Sequence, residues 1–165
     1  MTSRIIKNHL RLGFLFFIAL LVPACGERTR ELPPTEYLKA KAFSDAVAQD
    51  ILHRDLEDLY KRLDSGFQTM ISKPEDLVEV IKKMDDYYGK LLEIEFKAAK
   101  ESIRVDGAWK RPSRIFWYAA RTAKHPKGVY FLKIEIVTTF DGQSLSTSGF
   151  GLLTFNDKKI PRELQ

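Results

Sequence analysis

The chain has one cysteine, Cys25, in 165 residues. That excludes an intramolecular disulfide and any zinc or iron–sulfur site built from several cysteines. Histidine is almost as scarce, with three in all, of which His53 and His125 fall in the body of the chain. Neither stands in an HExxH pattern, and the sequence holds no glycine-rich phosphate loop and no nucleophile elbow. No metal, cofactor or catalytic residue is therefore assigned. Internal repeats and low-complexity stretches are missing as well. Charge of one sign is not in real excess either. The first 24 residues hold Arg4, Lys7 and Arg11 and no acid; without them 24 basic residues face 22 acidic ones, and the net charge falls from +5 to near +2. A generally basic nucleic-acid binder is thereby disfavoured. What remains is 44% hydrophobic and 30% charged, the composition of a globular chain, at a length that suits one domain.

The sequence also lacks an apolar run long enough to span a bilayer. From Leu12 to Ala24 is 13 residues. As a helix that is roughly 20 Å at ~1.5 Å per residue, against ~30 Å of hydrocarbon. Preceded by a basic stretch and followed by Pro23-Ala24, the run reads as a secretory signal peptide over residues 1–24. Val22-Pro23-Ala24-Cys25 resembles the lipobox of bacterial lipoproteins, an aliphatic stretch ending in Ala or Gly before a Cys. The resemblance implies that Cys25 is acylated and becomes the mature N-terminus, which makes the lipid bilayer the first partner. At ~0.8 kcal/mol per buried methylene, two or three acyl chains hold a protein stably on a membrane. The same resemblance implies a place in the bacterial cell envelope, and Gly26 after the cysteine points to the outer membrane and a domain facing the periplasm. Residues 25–36, polar and with Pro33-Pro34, read as a lipidated tether, extended around the prolines, ahead of a domain over 37–165.

Within the domain the apolar period is first helical. Phe43, Val47, Ile51, Leu52, Leu56, Leu59, Tyr60 and Leu63 recur at spacings of three and four. A corner at His53-Arg54-Asp55 predicts Asp55 as N-cap of a second, shorter helix ending near Asp64-Ser65-Gly66. Ser72 is the expected cap of a further helix with the stripe Leu77, Val80, Ile81, Met84 and Tyr88, and Gly89 stands where a C-terminal cap belongs. After Gly89 the period drops to two. Leu92, Ile94, Phe96 and Ala98 predict a half-buried strand, followed by strands over Ile115–Ala123, Val129–Phe140 and Leu145–Phe155. His125-Pro126-Lys127-Gly128 and Asp141-Gly142 supply the tight connections between the last three. Helices first and an antiparallel meander after them mean an α+β fold, with N-terminal helices packed on one face of a curved sheet of about four strands.

The stretch Asp50-Ile-Leu-His-Arg-Asp-Leu-Glu-Asp-Leu-Tyr-Lys-Arg-Leu-Asp-Ser-Gly-Phe, with the Pro74 to Gly89 helix and the terminal meander, resembles nuclear-transport-factor-2-like domains, also called ketosteroid-isomerase-like. The resemblance spans about residues 40–155 and implies a curved sheet wrapped round the helices as a cone, with a ligand pocket at the open end. The family's enzymes place an acid, and often a Tyr or His, inside the cone, and no such set can be matched here residue by residue. Asp50, Asp55, Asp58 and Asp64 fall on polar helix positions and read as solvated; His53 and His125 read as surface residues. Asp85-Asp86 point in different directions on a helix.

One asymmetry bears on partners. Residues 102–165 hold 11 basic and 5 acidic residues, and residues 25–101 hold 13 and 17. Arg104, Lys110, Arg111, Arg114, Arg121, Lys124 and Lys127 interleave with Trp109, Phe116, Trp117 and Tyr118, against the single acid Asp106. Such a cluster suits an anionic glycan, a lipid headgroup or an acidic face of an envelope protein. Strand parity sets Trp117 and Arg121 on one face, the candidate binding pair, and Arg114, Phe116 and Tyr118 on the other. The plainer reading makes these ordinary sheet-surface bases facing acidic helices or water. The expectation is a non-catalytic ligand- or partner-binding domain; the alternatives are a small-pocket enzyme of the ketosteroid-isomerase kind acting on an apolar substrate, and an assembly component of an envelope or secretion machine.

Overall fold

A computed structural model describes residues 34–126, 130–139, 142 and 144–154. All belong to a compact unit spanning Leu32–Gln165. Cys25, the signal peptide and the tether up to Pro33 lie outside the described residues. The described helices are α1 (Pro34–His53), α2 (Leu56–Lys61), α3 (Ser65–Met70) and α4 (Asp76–Tyr88). They are followed by β1 (Leu91–Asp106), β2 (Trp109–Thr122), β3 (Tyr130–Thr138) and β4 (Leu145–Thr154). The strands pair antiparallel in the order β1-β2-β3-β4, so the fold is α+β with a four-stranded meander. No helix among the described residues is long and apolar enough to cross a membrane.

The first helix starts before the expected boundary at residue 37. A proline lacks only an N–H that the first turn leaves unused, so Pro34 opens α1 and Pro34 to Glu36 form its first turn instead of an extended tether. Ala40, Val47, Ala48 and Ile51 bury one stripe of α1. The helix ends at a left-handed residue, Arg54 with φ 65°, and the Asp55 N–H turns back to the Asp50 carbonyl at 2.9 Å. This is a Schellman-type stop carried out by an arginine. Arg54 Nη2 also reaches Asp85 on α4 at 2.6 Å, which fixes the corner against the next helix.

Asp55 caps α2 by accepting from the Asp58 N–H, as its position predicts. The next stretch differs from expectation. The chain does not run as one helix towards Ser65: α2 stops at Lys61, Leu63 makes a parallel bridge to Thr147 of β4, and Asp64 caps the separate helix α3 by accepting from the Gly66 N–H at 3.0 Å. Asp-Ser-Gly can close one helix or open another, and here it opens one. Ser72 is not a cap either, since α4 begins at Asp76 with no side-chain cap. Pro74 disfavours helical geometry at Lys73, so the helix forms only beyond it. At its far end Gly89, φ 87°, closes α4 with its N–H on the Asp85 carbonyl, as expected.

Along the sheet Phe116, Tyr118 and Ala120 of β2, Leu132, Ile134 and Ile136 of β3 and Leu152 of β4 pack with Ile51, Leu59, Leu77 and Ile81 of the helices. Residues between them, Trp117, Lys133 and Glu135 among them, occupy the opposite face. The simple alternation predicted for β1 breaks twice. Register shifts fall between Leu91 and Glu93 and between Phe96 and Ala98. Ala98 therefore pairs with Trp117 on the outer face, and Ala99 with Phe116 on the core face. Such bulges bend and twist a strand. β2 also begins earlier than expected, because Gly107 (φ 61°) and Ala108 make a two-residue turn between β1 and β2. Between β3 and β4 the Gly142 N–H donates to Thr139 at 2.9 Å. The expected β2–β3 connection continues into residues 127–129, outside the described residues.

Candidate functional site

Under the helices, Tyr118 is the buried phenol of the core among the described residues, 3% exposed. Its hydroxyl lies 2.9 Å from Ser44 Oγ and 2.8 Å from Asp45 Oδ1, to which it donates. Burial pushes its pKa well above the usual tyrosine range, and Asp45 adds to this. A phenol so placed keeps its proton and works as a strut between α1 and β2. Asp45 in turn accepts from Lys41 at 2.6 Å, and the Lys41 ammonium sits 4.1 Å from the centre of the Phe96 ring.

On the outer face the sequence pattern is overturned at Asp64. It is 6% exposed, not solvated, because Leu63 turns into the core beside β4 and alternation sends Asp64 to the other side. There Arg111 Nη1 donates to Asp64 Oδ2 at 2.8 Å, while Arg111 Nη2 and Nε bind Asp106 Oδ2 at 2.6 and 3.1 Å. Arg104 continues the chain, with Nε on Asp106 Oδ1 at 2.9 Å and Nη1 on Glu135 at 3.2 Å. Ser146 Oγ donates to Asp64 at 3.2 Å. Burial by itself would raise the Asp64 pKa; the Arg111 guanidinium, the Gly66 N–H and the Ser146 hydroxyl outweigh it and hold the carboxyl below the ordinary range. Asp106 is lowered by Arg111 and Arg104, and Arg111 is raised in return. A cleft of about 270 Å³ opens beside this network, lined by Asp64, Phe67, Met70, Arg104, Arg111 and Ser148. Three carboxylates and two guanidinium groups leave it without the positive excess an anion would need. Asp64 and Asp106 are held ionised by their arginines, and Glu135 accepts from Arg104, which suits a clasp joining α3 to three strands better than an acid or a base.

Asp50 is likewise buried, not solvated. It accepts from Arg62 Nε at 2.7 Å, and burial nonetheless leaves its pKa raised.

Trp117 and Arg121 share the outer face of β2, as parity predicts, and the structure keeps them apart in role. Trp117 is 7% exposed and pairs across the sheet with Ala98 and Lys133, whose ammonium lies 6.0 Å from its ring. Arg121 is more than half exposed and forms an ion pair with Glu93 directly opposite on β1. Next to the Trp117–Lys133–Gly151 row, Gly149 and Gly151 leave a groove of about 250 Å³ with Lys133, Glu135 and Leu153. Lys133 escaped the sequence reading because it stands outside the basic run and meets Trp117 only through β2–β3 register.

The other bases of that run are divided among acids and both faces of the sheet. Arg114 lies near Glu101 at 3.6 Å and Glu36 at 3.9 Å, and Lys124 donates to the Asp86 carbonyl. Phe116 and Tyr118 are core. Lys127 and the Trp109 side chain lie outside the described residues. His53 binds Gln49 at 3.1 Å on the surface, and His125 packs edge-on to Tyr130 with ring centres 5.3 Å apart. An exposed pair such as Arg121–Glu93 contributes little. Arg121→Ala should therefore move stability by no more than about 0.5 kcal/mol. A thermal-melt loss well beyond that would show that the pair fastens β1 to β2.

Comparison of the chain with protein-family models, with curated proteins and with solved structures gives no match.

Proposed function

We propose that this chain is a lipid-anchored protein of the bacterial cell envelope whose α+β domain binds a ligand or partner without performing chemistry. The observation that carries the proposal is Val22-Pro23-Ala24-Cys25, which puts the chain's only cysteine at the end of a short apolar run. Helices followed by a four-stranded meander support the nuclear-transport-factor-2-like reading of the domain. The non-catalytic reading is supported by how the candidate acids and bases are engaged. Asp64, Asp106 and Glu135 hold arginines, Asp50 holds Arg62, and the Tyr118 phenol holds Ser44 and Asp45.

Metabolic labelling with a fatty-acid analogue in bacterial cells tests the anchor. The wild-type chain should take up label and sediment with membranes, and Cys25→Ser should do neither. Equal labelling of the two would overturn the proposal. Binding of the wild-type chain to anionic vesicles or an envelope glycan, weakened about tenfold by Arg121→Ala (a change of ~1.4 kcal/mol), would place the contact at Trp117 and Arg121. Binding that is indifferent to Arg121 would remove that pair from the proposal.

A further inference from the structure

Among the described residues β1 has no strand on its outer side, so its backbone groups form one edge of the sheet. The two halves of that edge differ. Leu91 to Ala98 carries two register shifts and Lys97, features that blunt an edge against pairing. From Ala98 to Asp106 the strand is regular and ends in a two-residue turn. Residues flanking such a turn form a hydrogen-bonded pair, here Asp106 and Trp109, and bonded and non-bonded pairs then alternate. Val105, Ile103 and Glu101 are therefore non-bonded towards β2 and aim their N–H and C=O groups outward. The same count puts Pro112, opposite Ile103, where no N–H is needed between β1 and β2. Ile103 and Val105 are 65% and 61% exposed, two β-branched side chains on the part of the edge that lacks a bulge.

We propose that this edge pairs antiparallel with the same edge of a second copy of the chain, centred on Ile103. A two-fold axis through an outward-pointing residue lets Ile103 exchange both backbone bonds with its copy, and Glu101 and Val105 bond across on either side. Charge and length of overlap together select the register: centring on Val105 would also oppose Arg104 and Asp106, but would run the pairing into the Gly107-Ala108 turn. Centring on Ile103 sets Lys100 opposite Asp106 of the other copy, twice over. A shift to Glu101 sets that carboxylate against itself, a shift to Ser102 sets Lys100 against Arg104, and a shift to Arg104 sets that guanidinium against its own copy. Like charges directly opposite destabilise a strand pair, and opposite charges support it. The centred register also joins the four exposed side chains Ile103 and Val105 of both copies into one apolar patch. The pairing needs neither the lipid nor a ligand, so it stands or falls separately from the function proposed above.

Sedimentation velocity of the purified full-length chain, in a neutral detergent matched for density, tests the pairing. The wild type should form a reversible dimer at concentrations up to about 100 µM. Ile103→Lys places two ammonium groups on the axis and should weaken the dimer at least tenfold, while at dilutions where both chains are monomeric its melting temperature should match the wild type, because the side chain is exposed. Leu92→Lys, on the bulged half of the same strand and also exposed, should leave the dimer intact. A wild type that stays monomeric, an Ile103→Lys dimer as tight as the wild type, or equal loss in both variants would each overturn the proposal.

Discussion

Replacing Arg111 by Met is expected to cost the domain about 3–5 kcal/mol at neutral pH, the range for removing one partner of a buried ion pair. Against a total stability of about 5–15 kcal/mol, that brings the native state close to its limit. Arg111 is 7% exposed and Asp64 6%, so the carboxylate left behind loses its cation and keeps little contact with water. Urea unfolding followed by circular dichroism would measure the loss. Asp64→Asn in the Arg111→Met background should restore part of it, because an amide removes the stranded charge and still accepts from the Gly66 N–H. A single variant as stable as the wild type would mean that the network is ornamental.

The same pair fixes a pH dependence whose sign follows from the lowered Asp64 pKa. A carboxyl with a folded-state pKa below its unfolded value contributes stability that is full above the ordinary range near 4 and is lost as pH falls through the depressed folded value. The wild type should thus lose this contribution only below about pH 4. In Arg111→Met the logic inverts: burial now dominates, Asp64 protonates more readily, and the cost of the substitution should shrink between pH 7 and pH 4. A difference between wild type and variant that stays constant over that range would point to packing of the guanidinium stem, not charge.

The Asp64–Arg111 clasp was also the feature least legible in the sequence, and the reason is physical. Local periodicity reports which face of its own element a residue occupies, and it was sufficient for the switch from helix to strand at Gly89, the Asp55 cap, the meander order and the shared face of Trp117 and Arg121. The partner of Arg111 lies 47 residues away and depends on a single bridge between Leu63 and Thr147. No alternation within residues 56–66 could show that Asp64 turns outward past β4. The bulge after Phe96 hides for a similar reason: Ala98-Ala99 offers two small residues in a row, and neither states which face it prefers. The β1–β2 turn is a different case. Asp106-Gly107 is the same dipeptide as the Asp141-Gly142 that marks the last hairpin, and its signal lay in full view amid the bases and aromatics.

Gly89 should prove the most demanding glycine among the described residues that take a positive φ. Its φ of 87° and ψ of 157° fall in a region open almost only to glycine, where another residue costs on the order of 1–3 kcal/mol. A Cβ there would also lie 2.6 Å from the backbone nitrogen of Lys124. That nitrogen is not at liberty to move. The Ala123 N–H is bonded to the Lys90 carbonyl at 2.8 Å and Thr122 Oγ1 to the Tyr88 carbonyl at 2.7 Å, so the end of β2 is fastened on both sides of the C-terminus of α4. Gly107 makes the control. Its φ of 61° is the left-handed value, and a Cβ there meets nothing within 4 Å. Gly107→Ala should therefore cost only about 1–2 kcal/mol. Gly89→Ala should cost about 3 kcal/mol or more and lower the melting temperature by roughly 10 °C in a domain of this size. The gap between the two variants measures the close approach of α4 to β2, since both pay for a positive φ. Equal melting temperatures would mean that the end of β2 yields easily and that the Gly89 junction is looser than its hydrogen bonds require.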